Sequence, residues 1–467
     1  MNKSLKNRMK KEHFKLVSID LFSGPGGICT GYKWAGILPL IAVEWTNTTV
    51  ETYSLSHDAE IFELSKYTIN GRVYDDNYLN KFLVESTKTI LIHGDINMVK
   101  NDLIKKLLFF RYGIDSNNET VDVVSGGAPC ESFSLAGQRN EGDERDDLFS
   151  NILRIARAVK TKLIMFENVK GMLSKPRNGI KGAIFSDICD AFELENKRPA
   201  YHLVSRNQAT ILLKASDYGV PQARERLILI AIRNDLKDVS FSYPKKKFGE
   251  GREYPYVTVG DAIGDLPAVE SGQDVKKYTQ PKTFSNENQK RFIEIVRGTY
   301  EDSEMHCKVP QHLIDNELYN SREINNQNGP GHLQRKLELL ALIPERGSMK
   351  SVFEEMTANG TIEQYRHLFP KTIYGSRNRR LLVDEPSFTV TSHCLDEILH
   401  PTQNRAITVR EAARLQSFPD WYQFAGPDVT FHSDKDEDKY EQIGDAVPPL
   451  LAYALGKEII KALPNHI

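Results

Sequence analysis

The most constraining feature of this sequence is the alternation of short β-branched runs with longer amphipathic segments between Leu16 and Arg233. Runs such as LVSIDLF and LILIAIR have the length and composition of buried strands. Segments such as LFSNILRIARAV carry apolar residues at helical spacing. Strands that alternate with helices pair in parallel through right-handed crossovers. The sequence therefore predicts an α/β fold with a doubly wound, mostly parallel sheet, whose strands cover 16–22, 38–44, 88–94, 120–126, 162–168, 201–206 and 227–233.

The length of the chain and a change of pattern predict more than one structural unit. A chain of 467 residues exceeds the size at which a single hydrophobic core stops growing. Between Tyr243 and about Glu385 the sequence reads as irregular, with scattered glycine, proline and asparagine. We therefore predict a first domain of residues 1–240, a second, smaller irregular domain of residues 241–441, and a C-terminal helix within residues 442–467 that returns to the first domain.

Regular structure is expected again near the carboxyl end. The segment 408–417 predicts a helix in which Thr408 and Glu411 form a capping box. A last helix is expected over 449–463. The acidic stretch SDKDEDK (433–439) between them is expected to be a mobile loop.

Composition excludes several classes of protein. No apolar run approaches the ~18 residues that a membrane span needs, and the first fifteen residues are polar, without a secretory core. We therefore expect a cytoplasmic protein that does not act at a membrane. The five cysteines stand far apart without a CxxC pair, which predicts neither a disulfide framework nor a metal site.

Net charge leaves the partner open. The formal charge of −2 gives no global sign of nucleic acid. Basic residues nevertheless crowd the amino terminus, the run 245–247, and the group Arg377, Arg379 and Arg380. Each of these clusters can be either a solvated stretch of surface or a contact with an anionic partner.

Three strand ends predict a cofactor that contains adenosine. The first strand leads into the glycine turn SGPGG (23–27), where backbone amides can approach a nucleotide-like ligand. This turn is not the GxGxxG pattern, which argues against a dinucleotide oxidoreductase. Glu44 ends the second strand and can accept hydrogen bonds from ribose hydroxyls, while Trp45 offers a face to adenine. Asp95 follows the third strand and can bond the adenine amino group, and a bare strand turn remains the alternative reading.

Chemically active groups stand after the fourth and fifth strands. Cys130 follows the fourth strand in GGAPCESFS, and Glu167 ends the fifth. A lone cysteine is usually an inert apolar residue, but a thiol and an acid at adjacent strand ends suit attack on an electron-poor ring. Gln222, Arg224 and Arg226 alternate, so in an extended segment they would share one face. That face would meet a phosphate, a pyrimidine carbonyl or the acid.

Nine blocks of the sequence resemble the cytosine-5 DNA methyltransferase family and occur in the family's order. They are DLFSGPGG (20–27), EW (44–45), GDI (94–96), GGAPCESFS (126–134), RDDLF (145–149), FENV (166–169), QARER (222–226), RAITVREAARLQSFPD (405–420) and QIGDAVPP (442–449). The resemblance implies the S-adenosylmethionine-dependent methyltransferase fold with a target recognition domain at 241–441. It implies transfer of a methyl group from S-adenosyl-L-methionine to carbon 5 of cytosine in a specific double-stranded DNA sequence.

The resemblance implies a role for each catalytic residue. Cys130 would attack cytosine C6, and Glu167 would donate to N3 and the exocyclic amine. Arg224 and Arg226 would fix the O2 side of the base and the catalytic acid. Since a thiol cannot reach C6 inside a stacked duplex, the cytosine would be flipped out.

Binding residues are implied in the same way. The DNA would be held by Ser134 and Gln222. The cofactor pocket would comprise Phe22, Gly24, Gly26, Gly27, Glu44, Trp45, Asp95, Ile96, Pro129, Leu148, Asp445 and Val447. The family usually has Pro-Pro-Cys-Gln where this chain has APCE (128–131), which puts the DNA contact of that glutamine in doubt. Many members have Gly-Asn where this chain has Gly444-Asp445, a small change at the edge of the cofactor.

Alternatives remain at this stage. An RNA cytosine-5 methyltransferase would share the architecture, and a catalytically silent DNA-binding relative would share the fold. The intact Cys130, Glu167 and Arg226 argue against the silent relative. Methylation of adenine would call for an Asn/Asp/Ser-Pro-Pro-aromatic stretch, which the sequence lacks. A stand-alone bacterial modification enzyme is expected to be a monomer in the nucleoid, with a cognate restriction endonuclease as a further expected partner.

Overall fold

The β-branched runs form the strands of a central sheet in the computed structural model, which describes residues 1–69, 73–116, 120–128, 148–194, 196–429 and 435–463. All seven predicted strands are present, which confirms the fold class. The strands of the described residues are β1 (Leu16–Leu21), β2 (Ile37–Glu44), β3 (Glu60–Glu63), β4 (Thr68–Ile69), β5 (Val73–Tyr74), β6 (Ile90–His93), β7 (Val123–Gly126), β8 (Leu163–Val169), β9 (Pro176–Arg177), β10 (Ile180–Lys181), β11 (Tyr201–Leu203), β12 (Leu212–Lys214), β13 (Glu225–Arg233), β14 (Arg379–Arg380) and β15 (Ile398–Leu399).

The helices alternate with these strands through the first half of the chain. They are α1 (Lys3–Lys11), α2 (Gly27–Ala35), α3 (Asn47–His57), α4 (Leu64–Tyr67), α5 (Asp76–Asn80), α6 (Asn101–Lys106), α7 (Ser150–Ala158), α8 (Ala183–Phe192), α9 (Gln208–Ile211), α10 (Val259–Ile263), α11 (Glu287–Arg297), α12 (Gln311–Asp315), α13 (Gln334–Ala341), α14 (Met349–Ala358), α15 (Ile362–Tyr365), α16 (Cys394–Glu397), α17 (Val409–Leu415), α18 (Lys439–Asp445) and α19 (Pro449–Ala462). A π-helical turn, Leu107–Arg111, continues α6.

The order of the central sheet explains why site residues from distant parts of the sequence meet. Its strands run β11-β13-β8-β7-β1-β2-β6-β3, with β12 also paired to β13. Strands β8, β7, β1, β2, β6 and β3 are parallel, whereas β13 is antiparallel to β8 and to β11. The carboxyl ends of the parallel strands therefore lie at one edge of the sheet, where ligands bind in open α/β folds.

Apolar side chains that point alternately to the two sides of each strand form a hydrophobic core on each face of this sheet. In β8, Leu163 and Met165 belong to the core that also contains α2 and α19, whereas Ile164 and Phe166 belong to the core that contains α6, α7 and α8. Successive side chains of a strand point to opposite faces, so one run of apolar residues serves both cores. The runs were predictable as strands for this reason.

The last helix lies against the amino-terminal half of the chain. Helix α19 packs directly on α2. Gly31 makes the close approach possible, because a Cβ atom there would lie 2.3 Å from the carbonyl oxygen of Pro449. The predicted capping box of α17 is also present, with the Thr408 side chain accepting from the Glu411 amide and the Glu411 side chain accepting in return.

The segment after Tyr243 is more regular than the sequence indicated. It contains two helices, α11 of 11 residues and α14 of 10 residues. Each helix buries apolar residues on one side and carries polar residues on the other. Residues between Leu339 and Leu399 form a separate small core. Val257 and Phe292, by contrast, belong to the core of α2 and α19. The domain boundaries at 240/241 and 441/442 stay predictions.

The described part of the acidic stretch 433–439, residues 435–439, forms hydrogen bonds with α3 and caps α18, and its mobility stays a prediction. Asn47 donates its backbone N–H to the Lys435 carbonyl, and Thr49 donates to the Glu437 carboxylate at 2.8 Å. Asp438 caps α18 through a capping box with Glu441. The amino-terminal end of α3 therefore supplies hydrogen-bond donors to Asp436 and Glu437.

Across the described ranges, no helix is both long and apolar enough to cross a membrane.

Candidate active site

The glycine turn after β1 has a backbone that ordinary residues rarely adopt. Phe22, Gly24 and Gly26 have φ values of +56°, +54° and +98°. A Cβ at Gly27 would lie 2.1 Å from the Val447 carbonyl oxygen, whereas a Cβ at Gly24 would meet no atom within 4 Å. The turn is therefore pressed against the protein at Gly27 and open at Gly24, the side on which a ligand can approach its amides.

A buried network supports this turn from below. The Lys33 ammonium donates to His57 Nδ1 at 3.1 Å, and burial lowers the pKa of His57 well below its usual value. The neutral ring therefore carries its proton on Nε2, which lies 3.0 Å from the Tyr422 hydroxyl and 3.3 Å from the Gly26 carbonyl. Tyr422 in turn donates to the Pro25 carbonyl. The sequence did not indicate these three supports, because they come from distant parts of the chain.

Glu44 lies against the glycine turn, as its place at the end of β2 predicted. Its Oε2 accepts from the Gly24 amide at 2.8 Å, and its Oε1 accepts from the Trp45 amide at 2.7 Å and the Thr46 amide at 3.1 Å. A carboxylate offers about four lone-pair positions, and Oε2 holds a single contact within the described part of the chain. The geometry therefore leaves an acceptor for a ribose hydroxyl.

A cavity of about 390 Å³ opens beside Glu44, beyond the ends of β2, β3 and β6. Its walls include the predicted Trp45 and Asp95. Trp45 is about half exposed, and one oxygen of Asp95 is held by the Asn97 amide at 2.9 Å. Glu63 and His93, whose side chains pair at 3.0 Å, also line the cavity. Sequence reasoning missed this pair because the short edge strand β3 was not predicted.

The predicted acid Glu167 is buried at the end of β8 and pairs with Arg226 of β13. Arg226 Nε lies 2.9 Å from Glu167 Oε1. Burial raises the pKa of Glu167, and the Arg226 cation opposes that rise. A Cβ at Gly127 would lie 2.5 Å from Glu167 Oε2, so the backbone that follows β7 runs directly against this carboxyl group. The amide of Asn168 fixes the same segment by donating to the Ala128 carbonyl at 3.1 Å.

The structure corrects the predicted roles of Gln222 and Arg224. Gln222 is fully buried and donates to the Leu415 carbonyl at 3.1 Å, which leaves its side chain no surface for DNA. Arg224 is also buried and donates to the carbonyls of Val390 and Gly444 at 2.7 and 2.6 Å. Both residues therefore join the QARER segment to the carboxyl-terminal half of the chain. Strand β13 begins at Glu225, so the regular alternation of side chains along the strand does not include Gln222 and Arg224. Both side chains therefore point inward.

Of the other predicted residues, four lie within the described part of the chain and three lie outside it. Ile96 and Val447 are buried, Leu148 is half-buried and Asp445 is exposed at the end of α18. Three predicted residues lie outside the described residues, namely Pro129, Cys130 and Ser134.

Comparison with protein families identifies the chain. Residues 74–461 match the model of the C-5 cytosine-specific DNA methylases. This chain belongs to that family. The methyltransferase modifies carbon 5 of cytosine in DNA, which requires a methyl donor.

Two relatives match the methyltransferase over almost its whole length. The type II methyltransferase M.DdeI of Desulfomicrobium norvegicum is 30% identical over 94% of this chain and 88% of its own. The type II methyltransferase M.XorII of Xanthomonas oryzae pv. oryzae is 30% identical over 96% of this chain and 85% of its own.

A solved structure supports the fold of the methyltransferase. The crystal structure of a candidate DNA modification methyltransferase encoded within an E. coli prophage aligns with a TM-score of 0.64 at 22% identity. The alignment covers 96% of this chain and 99% of the other. The mostly parallel sheet is thus shared with this protein.

Proposed function

We propose that the methyl donor is S-adenosyl-L-methionine and that the methyltransferase acts on a flipped cytosine in a specific double-stranded DNA sequence through the thiol of Cys130. The observation that carries this proposal is the buried Glu167–Arg226 pair at the edge of the sheet, with the backbone of Gly127 against the carboxyl group. Cys130 follows Gly127 by three residues, and three residues span at most ~11 Å. We propose that the Cys130 thiol acts on the cytosine beside this acid.

The donor site supports the choice of S-adenosyl-L-methionine. Gly24 is open, Glu44 Oε2 keeps acceptor capacity, and the adjacent cavity is lined by Trp45 and Asp95. These groups suit an adenosine: a carboxylate for the ribose, an aromatic face for the base and a second acid for its amino group. When bound, this cofactor would supply an electrophilic methyl group. The proposed pocket is completed by Phe22, Gly26, Gly27, Ile96, Leu148, Asp445, Val447 and Pro129.

The protein groups have defined tasks in the proposed reaction. The Cys130 thiolate bonds to cytosine C6 while Glu167 gives its proton to N3, which makes C5 an enamine carbon. C5 would then take the methyl group and lose its proton to a base. As the C6–sulfur bond breaks to restore the thiolate and the aromatic ring, N3 returns its proton to Glu167. Arg226 holds Glu167 in place for the proton transfer. The base must leave the duplex, because a stacked cytosine does not expose C6.

Trapping tests this proposal. Fluorine at C5 cannot leave as a proton, so the final elimination stops and the enzyme should stay bonded to its DNA. We expect wild-type protein, S-adenosyl-L-methionine and a 5-fluorocytosine duplex to give a complex that survives denaturing electrophoresis.

Matched cysteine variants make the result specific. Cys130→Ser should give no complex, whereas Cys189→Ser, a change at a thiol buried beneath α8, should still trap. A complex with Cys130→Ser, or methylation by wild-type protein without trapping, contradicts the assignment of the nucleophile. Single-stranded DNA and RNA analogues in the same assay test the choice of duplex DNA.

The partners are part of the proposal. The two relatives are named type II methyltransferases, which supports a cognate restriction endonuclease for this chain as well. We propose that the methyltransferase itself acts as a monomer, and sedimentation with and without duplex DNA measures this.

A further inference from the structure

Two neighbouring arginines of β14 have opposite environments. Arg380 is buried, and its guanidinium donates to the carbonyls of Leu340, Ile343, His400 and Gln403 and to the side chain of Asn404. Arg379 is exposed. Within the described residues its guanidinium has no hydrogen-bond acceptor and no carboxylate partner. Its guanidinium carbon lies over the ring of Phe388 instead, 3.8 Å from the ring centre.

The position of Arg379 is fixed by its backbone and by this ring. Its backbone bridges to Ser348 on one side and pairs with Ile398 of β15 on the other. Phe388 is half-buried and packs against the core of α2 and α19. A guanidinium that is stacked in this way loses little freedom when it binds a ligand, and it keeps its planar set of N–H donors.

Two exposed arginines close to Arg379 in sequence, Arg346 and Arg377, differ from it because each has an acidic partner. Arg346 lies 3.2 Å from Glu385 and 3.6 Å from Asp384. Arg377 lies 3.7 Å from Asp396. Arg379 has no such partner among the described residues, and its stack on Phe388 leaves its N–H donors available to an external acceptor.

The stacking partner connects Arg379 to the catalytic edge of the sheet. Ser387, next to Phe388, donates to the Pro221 carbonyl at 2.9 Å and accepts from the Ala223 amide at 2.7 Å. Arg226, the partner of Glu167, follows Ala223 by three residues, which is roughly 10 Å of extended chain. The stacked arginine and the catalytic pair are therefore joined through one short segment, which favours a contact of Arg379 near the target cytosine.

We propose that Arg379 is a specificity residue that donates paired hydrogen bonds to N7 and O6 of a guanine within about four bases of the target cytosine. Paired contact with guanine is the commonest specific use of arginine in the major groove, and it requires the fixed guanidinium plane that the Phe388 ring provides. This inference rests on the proposed action on a specific duplex sequence. To that proposed function the inference adds a residue, Arg379, and the base that this residue contacts, guanine.

Site profiling of variants tests the inference. Purified wild-type protein, Arg379→Gln, Arg379→Lys and the control Arg346→Gln are each incubated with S-adenosyl-L-methionine and a duplex library in which the bases around cytosine are randomised. Bisulfite sequencing then gives the base preference at every position. The control changes an exposed arginine that already has two acidic partners.

We expect Arg379→Gln to lose about 10- to 100-fold of its preference for guanine at a single position, with the other positions unchanged. Arg379→Lys should lose part of the same preference, and Arg346→Gln should match wild type. Phe388→Leu, which removes the stacking ring, should relax the same position.

Other outcomes overturn the inference. A uniform loss of activity with the original profile, together with a salt dependence reduced by about one phosphate contact, would assign Arg379 to the DNA backbone. An unchanged profile, or a recognition sequence without guanine within four bases, also contradicts it. Failure of wild-type protein to select any sequence would instead contradict the proposed function.

Discussion

At the scale of single residues, the proposed chemistry depends on the carboxyl group of Glu167, whose pKa is subject to two opposing effects. Burial raises the pKa of Glu167 above its ordinary value of 4.5, and the Arg226 cation lowers it. A general acid acts in its protonated form, so the rate of methyl transfer should fall as pH rises through this raised pKa. Arg226→Gln removes the lowering influence. We expect the falling limb of the single-turnover pH profile to move to higher pH in this variant, with a lower maximum rate.

The matched control for this pH measurement lies on the same strand. Arg233 ends β13 and pairs with the exposed Asp235 at 2.6 Å, far along the strand from Glu167. Arg233→Gln should leave the limb where wild type has it. If the limb of Arg226→Gln moves to lower pH, or does not move, Glu167 is not the proton donor.

A second prediction at this scale concerns Glu44. Its replacement by alanine removes the proposed acceptor for the ribose and also the bond that holds the Gly24 amide. Hydrogen bonds to charged groups contribute on the order of 1.5–3 kcal/mol. We expect titration calorimetry to show S-adenosyl-L-methionine binding weakened by about 10- to 100-fold. Glu51→Ala, an exposed change on α3, should bind normally, and equal affinities for the two variants would exclude Glu44 from the cofactor site.

At the scale of elements, the contact between α2 and α19 holds the glycine turn in place. In an isolated helix, Gly31→Ala should stabilise by about 1 kcal/mol. In this protein the new Cβ would lie 2.3 Å from the Pro449 carbonyl and 2.5 Å from the Tyr453 amide, so the two helices must separate. Overpacking of this kind costs roughly 1–3 kcal/mol or more. We therefore expect Gly31→Ala to lower the melting temperature and to weaken cofactor binding, because α2 begins at Gly27.

A substitution at Gly360, which has open space around it, separates the effect of backbone strain from the effect of the clash between α2 and α19. Gly360 has φ of +77°, and a Cβ there would meet no atom within 4 Å, so Gly360→Ala should cost only about 1–2 kcal/mol of backbone strain. Its cofactor affinity should equal that of wild type. A Gly31→Ala protein that is as stable as wild type would show that the two helices are not in firm contact.

At the scale of the whole molecule, two large cores cover the sheet, and a small separate core lies entirely within 339–399. Contacts with phosphates orient a protein, whereas contacts with base edges select a sequence. We predict that sequence choice resides between about residues 241 and 400. Grafting this segment from a relative should transfer the methylated site. Since Val257 and Phe292 belong to the core of α2 and α19, the donor must keep apolar residues at these two positions.

The reciprocal graft is the control for this prediction. Exchange of residues 401–463 alone should leave the methylated site unchanged, because this segment contributes helices that pack onto the sheet. Bisulfite sequencing of plasmid DNA from cells that express each chimera measures the outcome. An active chimera of 241–400 that keeps the original site would place sequence choice elsewhere.

The sequence by itself determined seven strands of the central sheet, two helices near the carboxyl end and several groups at the ends of the strands. The strands were predictable because their apolar runs must be buried on both faces of a parallel sheet. Glu44 and Glu167 were predictable as candidates because parallel strands bring their carboxyl ends to one edge. The capping box of α17 was readable because it lies within four consecutive residues. In each case the information is local, and the rule that connects it to structure is geometric.

Only the tertiary structure decided which distant residues meet. Tyr422 reaches Pro25 across almost the whole chain, and Arg224 faces inward to Val390 and Gly444, although the alternating pattern had placed it on the binding face. Arg379 and Arg380 are adjacent in sequence, yet one is buried and the other is stacked in the open on Phe388. Partners such as these are brought together by the packing of whole elements, and no local pattern encodes the resulting distances.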